Sequence, residues 1–173
     1  MLTAWYMRLI PGHHGAFDYV GGLPTHLPPA FPISEETGLP LRFLAQFACD
    51  GQRLSVENAR FLQIYQDDPE YDPMPVIVLV REDACENVEG LGTSQPGVLL
   101  HDIEWEARVD PESRTTDDVH LAKSKAGGTC YFSDKIRPGE RLQLREYPAE
   151  INFGGFTMVL AINDQQAIRV MLG

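Results

Sequence analysis

The chain has 173 residues, 43% of them hydrophobic, enough to bury a full core without disulfides or metal and too many for wholesale disorder. Its net charge of −11 is unevenly spread: Asp67 to Asp118 hold 15 acidic and 3 basic residues, while the remainder is close to neutral. A field of that sign excludes nucleic acid and anionic lipid as natural partners and favours a basic protein.

No apolar run approaches the ~18 to 20 residues of a membrane-spanning helix. Met1 to Ile10 lacks the basic start, long apolar region and small-residue cleavage site of a signal peptide, so the expected location is cytoplasmic. Cys49, Cys85 and Cys130 are odd in number and carry no CxxC spacing, which argues against a disulfide framework or a zinc knuckle. No metal and no cofactor is expected.

Trp5 to Ile10 reads as a strand stopped by Pro11-Gly12. His13-His14 follow in a loop, and adjacent histidines on an extended chain face apart, so they do not share an ion unaided. Tyr19-Val20-Gly21-Gly22-Leu23-Pro24 opens a passage with four prolines between Pro24 and Pro32, which excludes helix and central strand. Leu41 to Phe47 and Arg60 to Tyr65 read as strands, with a helical turn expected over Ser55 to Asn58. Asp67 to Pro73 is an acidic loop without the spacing of a calcium site, and Pro75 to Val80 is a β-branched run suited to a strand buried on both faces. Gly90 to Gly97 lacks the Gly-Lys-Ser/Thr ending of a phosphate cradle.

Val98 to Trp105 reads as a strand on which His101 and Asp102 face apart, which argues against their acting as a catalytic pair. Asp110 to Asp118 is an acidic connector. Ser124-Lys125-Ala126-Gly127-Gly128 then repeats the Gly-Gly opening, followed by strands over Leu142 to Tyr147, Thr157 to Asn163 and Ala167 to Leu172, with a turn at Asn152-Phe153-Gly154-Gly155. The residues predict mostly antiparallel sheet with a short helical turn, in one compact domain. It would contain two unequal copies of a Gly-Gly/strand/strand unit, about 1–118 and 119–173. Gly21, Gly22, Pro24, Gly127, Gly128, Gly154 and Gly155 are read as structural corners, because a pair repeated in both halves marks architecture.

Gly21-Gly22-Leu23-Pro24, Leu41 to Phe47, Ser124 to Gly128 and Asn152 to Gly155, in that order, resemble the YwqG-like family of bacterial proteins. The resemblance spans nearly the whole chain, which is shorter than the family pattern, with Leu142-Gln143-Leu144 as a reduced counterpart of the glutamine-bearing strand at Gln46. It implies an antiparallel α+β fold with an internal duplication, and a neighbourhood of bacterial toxin systems for some members.

The functional expectation is a non-enzymatic interaction protein, an immunity protein that binds and neutralises a basic toxin such as a nuclease. The expected contacts are Asp67, Asp68, Glu70, Asp72, Glu104, Glu106, Asp110, Glu112, Asp117 and Asp118, with Tyr71 and Trp105 as aromatic anchors. The alternative is a small-ligand protein or enzyme with its site at the Gly-Gly segments, using Lys125, Gln46 and His26. No nucleophile and base pair or metal set in the sequence supports catalysis.

Overall fold

A computed structural model describes residues 2–67, 74–81, 100–110, 124–128, 136–146 and 158–172. Among them the regular elements are all strands: β1 (Thr3–Pro11), β2 (Tyr19–Val20), β3 (Arg42–Ala48), β4 (Phe61–Gln66), β5 (Val76–Val80), β6 (His101–Val109), β7 (Lys125–Gly127), β8 (Glu140–Glu146), β9 (Met158–Asn163) and β10 (Ile168–Leu172). The expected α+β class is therefore corrected to all-β. The helical turn expected at Ser55 to Asn58 is an irregular turn in which Asn58 adopts φ 56°, a left-handed conformation that ends rather than extends a helix. No helix of the described residues is long and apolar enough to cross a membrane.

The chain divides into two units. The first comprises Met1–Arg8, Asp50–Glu57 and Glu104–Gly173; the second comprises Leu9–Cys49 and Asn58–Ile103. The strand order is β10-β9-β8-β7-β1-β6 in the first and β6-β2-β3-β4-β5 in the second, so β1 and β6 each give residues to both.

The element order runs twice. β1 to β5 are nine, two, seven, six and five residues long; β6 to β10 are nine, three, seven, six and five. The second run thus begins at His101, ahead of the boundary near Asp118 expected from the sequence.

Register matches as well as length. Tyr19 pairs with Gln46 as Lys125 pairs with Arg145, and Ala45 pairs with Ile64 as Leu144 pairs with Leu160. Both meanders shift register in their second strand, at Leu44 in β3 and at Gln143 in β8. The position matching Gln46 is therefore held by Arg145, and Gln143 matches Leu44. The leading strands are exchanged: β1 pairs with β7, and β6 pairs with β2.

Each unit has its own apolar cluster. In the first, Leu142, Val159, Ala161 and Met171 pack with Ile136; in the second, Tyr19, Leu41, Phe43 and Tyr65 pack with Phe31 and Val78. β4 is buried along its whole length, so its polar side chains need partners inside the protein. Gln63 Nε2 donates to Gln46 Oε1 at 3.0 Å and to the His26 carbonyl at 2.6 Å, while the Tyr65 hydroxyl donates to Gln63 Oε1 at 2.8 Å. Gln46 Nε2 donates to Thr25 Oγ1, and the Tyr19 hydroxyl donates to the Leu23 carbonyl and accepts from the Thr25 amide. This network ties the proline-rich segment to the sheet. Burial pushes the Tyr19 hydroxyl up to about 12 and raises Tyr65 as well, so both remain protonated donors.

Candidate functional site

Three places gather polar chemistry, and the first lies in the second unit. Asp102 is buried beside the turn after β1, where His13 Nδ1 lies 2.7 Å from Oδ1 and the His14 amide donates to Oδ2 at 2.7 Å. Gly12, at φ 88°, bends the chain so that these groups reach the carboxylate. Burial pushes the Asp102 pKa up, but the His13 and His14 hydrogen bonds and their charges outweigh it and hold the carboxyl below its usual range. Asp102 thus pairs with His13, across 89 positions of sequence, rather than with its neighbour His101. No group of three or more His, Cys, Asp or Glu that could hold a metal ion occurs among the described residues.

The second place is in the first unit. Lys125 Nζ donates to both oxygens of Asp110, at 3.0 and 2.8 Å, and the Tyr6 hydroxyl donates to Asp110 Oδ1 at 2.7 Å. Both charged side chains are out of solvent, at 0% and 1% exposure. Gly128, at φ 75°, sits so close that a Cβ there would overlap the Asp110 carboxylate and press on Ala4. Asp110, expected at a partner-facing surface, is therefore an internal counter-ion. Lys125 serves the same pair, while Gln46 and His26 serve the proline-rich segment of the second unit.

The third place is a cavity of about 460 Å³, lined entirely by residues of the first unit. Trp5 from β1, the Gly127-Gly128 corner of β7, and Arg141 and Gln143 of β8 form much of its wall. Gly51 to Ser55, carried on the β3–β4 connection, contribute Arg53. That connection is shaped by Asp50, whose Oδ1 accepts the Gln52 and Arg53 amides and whose Oδ2 takes Arg53 Nε at 2.5 Å. Burial acts to raise Asp50, but these bonds and the Arg53 charge hold it low. Gln143 is 6% exposed, and its Oε1 accepts the Ser55 amide at 2.8 Å.

No protein-family model and no curated protein matches the chain. The resemblance to the YwqG-like family accordingly stands on the sequence motifs alone.

Of the expected partner contacts, Asp68, Glu70, Tyr71, Asp72, Glu112, Asp117 and Asp118 lie outside the described residues, as do Gly154 and Gly155. Asp67 is half-buried at the end of β4. Glu104, Trp105 and Glu106 fall together on β6, with Glu104 bonded to Arg8 and Trp105 lying 5.0 Å beneath the Arg53 guanidinium. Gly21, Gly22, Gly127 and Gly128 all have positive φ, and Pro24 lies in the segment pinned by Tyr19. Sequence reasoning missed Trp5, Arg53 and Arg141, which have no motif in common. It also missed the His13–Asp102 pair, whose sequence signal is limited to a turn-forming Pro-Gly before the histidines.

Proposed function

We propose that the chain is an interaction protein that binds a basic protein partner along the C-terminal part of β6. The observation that supports this reading is the exposure of that strand within the acidic region. Glu104 and Glu106 to Val109 are all exposed, so the strand is open on both faces. β2 meets β6 only at His101 and Asp102, and no strand among the described residues pairs with Glu104–Val109 on the side away from β1.

An open edge is a template for an added strand, and its side chains select what adds. Here Glu104 and Glu106 oppose a second acidic edge, a second copy of this chain included, and attract a basic one. The net charge of −12 across Asp67 to Asp118 extends that preference outward and steers encounter. A toxin with a cationic nucleic-acid-binding surface, such as a nuclease, has the matching chemistry. The chain would then be its immunity protein in the cytoplasm, with Glu104, Trp105 and Glu106 among the contacts.

The test is affinity purification from the source cells, followed by calorimetry on the purified pair. The expected result is a basic partner whose affinity falls as salt rises, and falls at least about fivefold in Glu104→Gln/Glu106→Gln with the fold intact. Recovery of no basic partner, or an affinity indifferent to both salt and these charges, contradicts the reading.

A further inference from the structure

We propose that the cavity of the first unit is a binding site for a small carboxylate carried on a flat apolar body. Its volume of about 460 Å³ lies within the range that holds small molecules. Trp5 supplies a flat wall because position 127 is glycine: a Cβ there would lie 3.3 Å from the indole ring, so the ring rests against bare backbone. Leu142 and Ile136 add apolar surface.

The polar lining offers donors. The carboxylate of Glu140 is occupied, taking Arg169 Nε at 2.8 Å, Arg169 Nη2 at 2.5 Å and the Arg137 amide at 2.8 Å. The Arg169 hydrogen bonds, foremost, pull the Glu140 pKa down to about 2, so it stays ionised and paired. Arg141 is exposed at the wall. Gln143 spends its oxygen on the Ser55 amide, which leaves Nε2 with no partner among the described residues on a side chain 6% exposed.

That donor is not sealed in the core, and Gln143 lines the cavity, so an acceptor held there can reach it. The comparison within the chain sharpens the point. The matching register position in the other meander is Leu44, fully buried and apolar, so the bulge itself requires no polar side chain. The bulge at Gln143 places the amide at the cavity wall, where Arg141 supplies the charge that a carboxylate would pair with.

The experiment uses the full chain and three probes of one shape: phenylacetate, phenylacetamide and phenethylamine. Binding is read by ligand-observed NMR and calorimetry up to about 5 mM, a limit that detects millimolar affinity. Phenylacetate is expected to bind at least about tenfold more tightly than either of the others. Arg141→Gln, at an exposed position, is expected to remove that preference without unfolding the protein. Gln143→Glu keeps the acceptor for the Ser55 amide while replacing the donor with a like charge, and is expected to abolish phenylacetate binding. The proposal is overturned if phenylacetate does not bind, if the acid is not preferred over the amide and the amine, or if Arg141→Gln binds it as the parent does.

Discussion

Replacing Gly128 by alanine tests the packing of the first unit at its tightest point. Two effects add. A side chain at φ 75° costs about 1–2 kcal/mol in the left-handed region. The new methyl must also displace the Asp110 carboxylate from Lys125 and Tyr6, or push Ala4 away, and disrupting a buried ion pair costs about 3–5 kcal/mol. The sum, about 4–7 kcal/mol, is a large part of the ~5–15 kcal/mol that holds a domain together. Gly139→Ala separates the terms, because Gly139 has φ 82° with nothing within 4 Å of its would-be Cβ. Urea denaturation followed by circular dichroism is the assay. With a slope of roughly 2 kcal/mol per M, the midpoint is expected to fall by about 2–3.5 M in Gly128→Ala and by about 0.5–1 M in Gly139→Ala. Equal losses in the two variants would refute the overlap with Asp110 as the cause.

Two further predictions concern charge. Lys125→Met leaves Asp110 buried without its cation and is expected to cost about 3–5 kcal/mol in urea melts, whereas Lys125→Met/Asp110→Leu recovers most of that loss; a double variant no better than the single would contradict the account. Glu140 has its folded pKa depressed from 4.5 to about 2, so its contribution is complete above 4.5 and drains away as pH falls through that interval. Stability measured from pH 6 to 2 should therefore fall less steeply in Glu140→Gln than in the parent, and parallel curves would count against the Arg169 pairing.

Most of the strands were legible because their signal is local. Leu41 to Phe47, Arg60 to Tyr65 and Pro75 to Val80 are apolar runs bounded by Gly, Pro and Asp, and they coincide within a few residues with β3, β4 and β5. However, β5 ends the strand order and is mostly half-buried with Val76 exposed, not buried on both faces as its β-branched run suggested. β2 and β7 were not legible: two or three residues carry no period, and what makes them strands is the partner on either side. The α+β expectation came with the family resemblance, and the one helical reading the residues themselves offered, at Ser55 to Asn58, is one that four residues cannot enforce.

Asp110 looked like surface because it begins an Asp-Pro-Glu connector, and nothing near it in sequence announces Lys125 or Tyr6. Distance in sequence hides the cavity in the same way: Trp5, Arg53, Arg141 and Gln143 come from three separated stretches. The exposed acids Glu104 and Glu106 were legible, since charge needs no partner to be read.

The exchange of leading strands bears on the order in which the protein can be made. β1 lies in the sheet between β6 and β7, both of which follow β5 in the chain, so among the described strands it has no sheet neighbour until His101–Val109 has been synthesised. The second unit has the milder form of the same delay, with β2 waiting for β6. A chain released after β5 would hold an unmated first strand and a meander without its edge, so the first five strands alone are expected to be a substrate for chaperones rather than a minimal domain.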